Sequence, residues 1–433
     1  MVYETFNREL SQRGLALRFI FLLLFLCITS CATTSSVEKH EPATVELMAL
    51  ADKNPEFKSF LIKSIYLAKS ENPDRETNPA QTLDEFYAFI DWAAVAMPWN
   101  ILKDQHYPLL YEQIDQSLDY FYFAIDRPLS ELDGKGLYRN SLQYYEPFRS
   151  WMIKFTKSWG AYLDTTGSWN NDFYKKAYAD KRFGLDRGWY EDPSRWTTFN
   201  QFFARYLKSP DQRPIAQPED QSVVVAPADS VPQGVWKIDA NSNLANRYGA
   251  EVKSATVYSI KELLGESSTY KDAFASGVLT HTFLDVDDYH RYHFPVGGTV
   301  KEINIIPQDD AVGGTISWSP EKKKYLLDSA TPGWQFIETR GYVIIQTEKY
   351  GLVAVIPVGM SQVSSVNFEK NVQVGAAFKK GDMLGYFLFG GSDCVMLFQK
   401  DAGFKLTVSG NDTDGYQHVL MGETFGVLTG APN

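Results

Sequence analysis

Ser392 has the most chemically suggestive setting in this chain. It follows Gly390-Gly391 and interrupts an apolar run, with Phe387-Leu388-Phe389 before it and Cys394-Val395-Met396-Leu397-Phe398 after it. Glycine within a strand marks a bend or a close approach to the backbone. A hydroxyl placed directly after such a glycine can take the preceding carbonyl as its electrophile, so the chemistry at hand is self-cleavage of the Gly391–Ser392 bond. A glycine hairpin carrying an incidental serine is the plain alternative.

Attack by a serine needs a proton acceptor. The chain has only six histidines, and His281, His290 and His293 lie close together. The stretch Asp285-Val286-Asp287-Asp288-Tyr289-His290-Arg291-Tyr292-His293 sets carboxylates beside imidazoles. Three readings stand side by side: a metal site, a solvated structural loop, and an acid–base group poised near neutral pH. Against metal, there is no His-Glu-x-x-His spacing and Arg291 would oppose a cation, so no metal is predicted. The acid–base reading needs an orienting carboxylate, and Ala226-Pro227-Ala228-Asp229-Ser230 offers Asp229 at a strand end. Asp, His and Ser far apart in sequence are normal for such an arrangement.

The elements that must hold these residues differ along the chain. Residues 46–208 read as helical. Thr82-Leu83-Asp84-Glu85 resembles a capping box, and Phe148, Trp151, Met152, Phe155, Trp159 and Tyr162 recur at helical spacing. A third stripe, Phe199, Phe202, Phe203 and Tyr206, predicts a helix ending before Pro210. These stripes are expected to be core. Residues 209–433 change to short alternating segments broken by Gly, Pro, Asn and Asp, including Val223–Val225, Val278–Leu284, Val300–Ile306 and Leu352–Val358. The expected fold is α+β, a mainly helical N-terminal domain followed by a mostly antiparallel β domain.

The net charge of −11 removes nucleic acid from the expected partners, since no basic stripe exists to displace counterions. Residues 1–30 read as an export signal: Arg8, Arg13 and Arg18 precede an apolar stretch too short for a mature span, ending in Ile28-Thr29-Ser30-Cys31. That ending looks like a bacterial lipobox, with Cys31 as the acylated residue. Residues 31–45 then read as a flexible tether. The expected location is the bacterial cell envelope, on the periplasmic face of a membrane. Only Cys394 remains after Cys27 and Cys31, so no intramolecular disulfide is expected.

Several ordered blocks together resemble the pyruvoyl-dependent phosphatidylserine decarboxylases. They are Phe199-Asn200-Gln201-Phe202-Phe203-Ala204-Arg205, Arg213-Pro214-Ile215, Ala226-Pro227-Ala228-Asp229, Tyr258-Ser259-Ile260-Lys261-Glu262-Leu263-Leu264-Gly265, Asp288-Tyr289-His290-Arg291-Tyr292-His293-Phe294-Pro295 and Gly385-Tyr386-Phe387-Leu388-Phe389-Gly390-Gly391-Ser392. The helical region ahead of them, with Asp91-Trp92 and Phe148-Arg149-Ser150-Trp151, looks like the extension of a divergent branch that includes aromatic amino acid decarboxylases. The resemblance implies that Asp229, His293 and Ser392 form the self-cleavage triad, with Asp288 and His290 as further active-site residues. Two positions depart from the family pattern: Asp393 stands where Thr or Ser is usual, and Ser230 where Gly is usual. An acidic residue at 393 would oppose an oxyanion forming beside it.

The resemblance further implies a cofactor made from the protein itself. His293, oriented by Asp229, would take the Ser392 proton. The acyl group of Gly391 would shift to oxygen, β-elimination would free the chain ending at Gly391, and hydrolysis of the dehydroalanine would leave a pyruvoyl group heading residues 392–433. A primary amine would then lose its carboxyl group through a Schiff base. Phosphatidylserine is the favoured substrate, suiting a protein tethered to a membrane through Cys31. A free aromatic amino acid is the alternative, and an inactive scaffold or binding lipoprotein a second. Self-association remains open.

Overall fold

In the computed structural model the described residues are 40–96, 116–133, 141–244, 250–252, 255–257, 259–307, 315–328, 334–336, 338–360, 365–389, 391–410 and 415–430. The expected signal, Cys31 and most of the expected tether lie outside them. Helix Pro42–Lys53 begins inside the last residues assigned to the tether, with proline in its first turn. The tether reading is therefore corrected at residues 42–45.

The N-terminal half is helical, as expected. Helices Pro55–Glu71, Leu83–Ala93, Gln116–Ile125 and Phe148–Leu163 share an aromatic core. Thr82 caps its helix by accepting from Glu85 N, and the Glu85 carboxylate reaches back to Gln81 N at 3.0 Å. In helix Phe148–Leu163 the predicted stripe is buried at Phe148, Trp151, Met152, Phe155 and Trp159. Rings of Phe57, Phe148, Trp151, Phe155 and Phe121 stack in succession at centroid distances of 5.3–5.8 Å. The third predicted helix is shorter than its stripe suggests. It spans Phe199–Phe203 from a Thr198 cap, and Tyr206 lies beyond it. The chain turns there because Arg205 is drawn inward, fully buried, to carbonyls of another segment.

The C-terminal half is built on a seven-stranded antiparallel sheet. Its order is Ala377–Phe378, Gly298–Ile306, Arg340–Gln346, Leu352–Met360, Gly391–Phe398, Val278–Leu284 and Val231–Lys237. Both faces are covered, so the central strands read as nearly unbroken apolar runs. Alternation along Gly391–Phe398 sends Ser392, Cys394, Met396 and Phe398 to one face and Asp393, Val395 and Leu397 to the other. Ser392 pairs in register with Gly359 on one side and Leu284 on the other.

A three-stranded sheet, Val366–Phe368, Met383–Phe387 and Arg291–His293, lies on the serine-side core. Gly385 is required there: a Cβ would sit 2.0 Å from Asn367 O and 2.7 Å from Tyr292 Oη. Residues Pro42–Asn433 make one compact unit. The serine-side core joins Trp159, Leu163 and Trp169 from the helical half to Phe387, Phe389 and Met396 from the β half, so packing runs across the boundary expected near residue 208.

Candidate active site

The loop between strands Val278–Leu284 and Arg291–His293 carries the carboxylates and imidazoles singled out above. It is pinned from behind by Arg205, whose Nη2 donates to the carbonyls of Asp287 and Asp288 at 2.9 and 2.8 Å. The guanidinium lies 4.4 Å from the Tyr190 ring centre. A buried arginine whose Nη2 donates to two backbone carbonyls fixes the loop without adding a competing carboxylate.

His290 emerges from this loop beside Ser392. Its ring stacks on Phe203 at 3.7 Å between centroids. Its Nε2 lies 3.0 Å from Asp285 O, and a carbonyl only accepts, so Nε2 carries the proton. Nδ1 is then bare, and it lies 3.3 Å from Ser392 Oγ. Burial, aided by the positive charge of Arg205, holds His290 well below the usual histidine range. The ring is thus neutral and able to receive the serine proton.

His293 is engaged differently. Its Nδ1 donates to Gly381 O at 2.8 Å and its Nε2 lies 3.3 Å from Tyr289 Oη. Burial lowers its pKa to about 4. Asp229 receives a bidentate pair from Arg213, 2.9 Å from Nε to Oδ1 and 2.5 Å from Nη2 to Oδ2, and a further bond from Met421 N at 2.8 Å. The expected Asp229–His293–Ser392 line is therefore not the hydrogen-bonded line in this uncleaved chain. Ser392 faces His290, and Asp229 faces Arg213. The charge of Asp229 still reaches His293, where it works against the effect of burial.

Asp288 is held by Asp285 N on one oxygen, at 2.9 Å, and by His418 Nε2 on the other, at 2.7 Å. Burial pushes its carboxyl up to about 7, with the His418 bond pulling the other way, while the Asp288 bond raises His418. The loop thus carries both Asp288 and His290, and strand Gly391–Phe398 brings Ser392 to His290. Sequence reasoning gave no role to Arg205, Arg213, Phe203 or His418. The two arginines stood inside the resembling blocks, and an arginine after Phe-Phe-Ala is the signal that could have found Arg205.

The segment leading to Ser392 is also fixed. Phe387 N donates to His290 O at 2.9 Å, and Phe389 N donates to Asn200 Oδ1 at 3.2 Å. A cavity of about 950 Å³ adjoins it, lined on this side by Asn200, Arg291, Tyr386 and Leu388. The arrangement of a buried hydroxyl, a bare imidazole nitrogen and a preceding glycine carbonyl has the parts for an intramolecular acyl shift.

Comparison with known proteins places the chain in a family. A family model described as phosphatidylserine decarboxylase matches residues 199–427, a span that includes Asp229, Asp288, His290, His293 and Ser392. The chain is 35% identical over 214 residues to phosphatidylserine decarboxylase proenzyme 2 of Oryza sativa subsp. japonica, covering 49% of this chain and 31% of that protein. It is 31% identical over 249 residues to the phosphatidylserine decarboxylase proenzyme of Fusobacterium nucleatum, covering 56% and 74%. Against the proenzyme of Clostridium botulinum it is 33% identical over 278 residues, covering 63% and 84%. The match thus spans less than a third of the rice protein's length but most of the two bacterial ones. By the family model and by these relatives, the chain belongs to the phosphatidylserine decarboxylase family.

Proposed function

We infer that this chain is a self-processing decarboxylase that splits at Gly391–Ser392 and converts phosphatidylserine to phosphatidylethanolamine. The single observation carrying the reading is the 3.3 Å approach of Ser392 Oγ to a His290 nitrogen that bears no proton. His290 takes the hydroxyl proton as Oγ adds to the Gly391 carbonyl carbon. The C–N bond to Ser392 then breaks as the ester forms, and the amine nitrogen takes up a proton. The residues around Ser392 suit a pyruvoyl group derived from it: the position is buried and faces the neutral imidazole of His290, itself stacked on Phe203.

A pyruvoyl ketone at this position supplies an electron-withdrawing carbonyl to which an amine substrate can bind. Around it, His290 and Asp288 are the groups placed to hold and return the proton that replaces the lost carboxyl group. Asp229, paired with Arg213, holds the Met421 backbone against the site, and His293 is positioned by Gly381 O. The proposed mature protein is tethered through a lipidated Cys31 at a membrane of the cell envelope, where a phospholipid is within reach.

Ser392→Ala tests the reading directly. Denaturing electrophoresis and intact mass should show wild type as two chains meeting at 391/392 and the variant as one. Wild type should release carbon dioxide from phosphatidylserine vesicles and the variant none. A split or active Ser392→Ala protein would remove the proposal, and release only from free aromatic amino acids would replace its substrate.

A further inference from the structure

Asp393 is the family departure that sits one residue from the cleavage serine, and the sheet turns it away from the site. Its carboxylate lies on the face opposite Ser392, fully buried. Gln335 Nε2 donates to its Oδ2 at 2.7 Å, and His281 Nδ1 lies 2.8 Å from the same oxygen and 3.3 Å from Gln335 Nε2. His281 reaches it from the neighbouring strand, where it pairs in register with Val395, and its ring stacks on Trp236 at 5.0 Å. Oδ1 is buried with no hydrogen-bond partner among the described residues.

A carboxylate buried this near the Gly391 carbonyl opposes the negative charge that must build on that oxygen during attack. Little water reaches it to screen the effect. Burying a charge is tolerated only when other groups compensate it. Resting on the self-processing reading, we propose that His281 and Gln335 are positioning residues for self-cleavage: they hold Asp393 on the far face of the sheet and offset its charge, so that Ser392 can attack.

Asp393 is then a compensated burden and not a working group, which sets the pattern expected of its variants. Splitting of the full chain is followed over time by electrophoresis and intact mass. His281→Phe keeps the stack on Trp236 but removes the imidazole nitrogen beside Asp393, leaving Gln335 alone, and splitting should slow by roughly tenfold or more. Asp393→Asn, which removes the charge, should split at close to the wild-type rate. His281→Phe/Asp393→Thr, which removes charge and partner together, should recover to within about threefold of wild type. A purely structural role for His281 would not be rescued by a second change at 393.

The proposal is overturned if His281→Phe, with the circular dichroism of the wild type, splits at the wild-type rate. It is overturned equally if the double variant stays as slow as His281→Phe. Should His281→Phe fail to fold, Asp393→Asn decides: a folded, unsplit Asp393→Asn chain makes the carboxylate a required group and ends the proposal, while wild-type splitting upholds it. A wild-type chain that never splits would instead count against the self-processing reading.

Discussion

At the residue scale, the two histidines of the Asp288–His293 segment are told apart by what their second nitrogens do. His290 gives its Nε2 proton to a carbonyl and presents a bare Nδ1 to Ser392, whereas His293 spends Nδ1 on Gly381 O and turns Nε2 toward Tyr289. A general base must reach the proton it removes before its pKa matters. His290→Gln is accordingly expected to slow splitting by roughly 10²–10⁴-fold, measured as the rate of appearance of the two chains. Equal rates in wild type and variant would return the base role to His293. The resemblance of the segment to its family was legible in sequence, but tautomers depend on neighbours more distant in the chain, such as Gly381, that no local pattern reveals.

At the element scale, the site depends on segments from both halves of the chain. Phe203, on the short helix Phe199–Phe203, stacks on His290 and meets Phe389 edge-on at 5.2 Å. Phe389 in turn packs against Trp159 from helix Phe148–Leu163 and against Phe199. The helical half thus forms a wall of the site and does not hang beside it. A chain shortened to residues 199–433 exposes the faces that Trp159, Leu163, Trp169 and Trp196 cover. It should lose its near-ultraviolet circular dichroism while keeping far-ultraviolet signal, and stay unsplit. A well-packed, splitting fragment would show the helical half to be dispensable. Helix Phe148–Leu163 was readable from its stripe because a 3.6-residue period is local; its docking against Phe389 was not.

At the scale of the whole molecule, the buried imidazoles make stability depend on pH. The folded His293 resists protonation down to about 4, while the unfolded residue titrates near its ordinary 6.5. Between those values the unfolded chain binds the proton that the folded chain refuses, so this contribution weakens as pH falls, by at most about 1.4 kcal/mol per pH unit. Asp288 works in the opposite sense, because burial raises its carboxyl to about 7 and the folded chain holds a proton that the unfolded chain has released. The two are separated by a variant: the stability advantage of wild type over His293→Gln, from urea melts, should narrow as pH falls from about 6.5 to 4. An advantage that is constant or growing over that window contradicts the burial of a neutral ring.

The apolar stripes, the change from helices to strands and the family were legible in the sequence, which also singled out Asp229, Asp288, His290, His293 and Ser392 as expected site residues. All of these are carried by local periodicity or by blocks of neighbouring residues. Tertiary structure decided which of them touch. It gave Ser392 to His290, gave Asp229 to Arg213, and brought His418 to Asp288 from far along the chain. It also decided the meaning of Asp393. In sequence that residue stands next to the serine, but successive side chains of a strand point to opposite faces, and the fold places His281 and Gln335 on the far face to receive it.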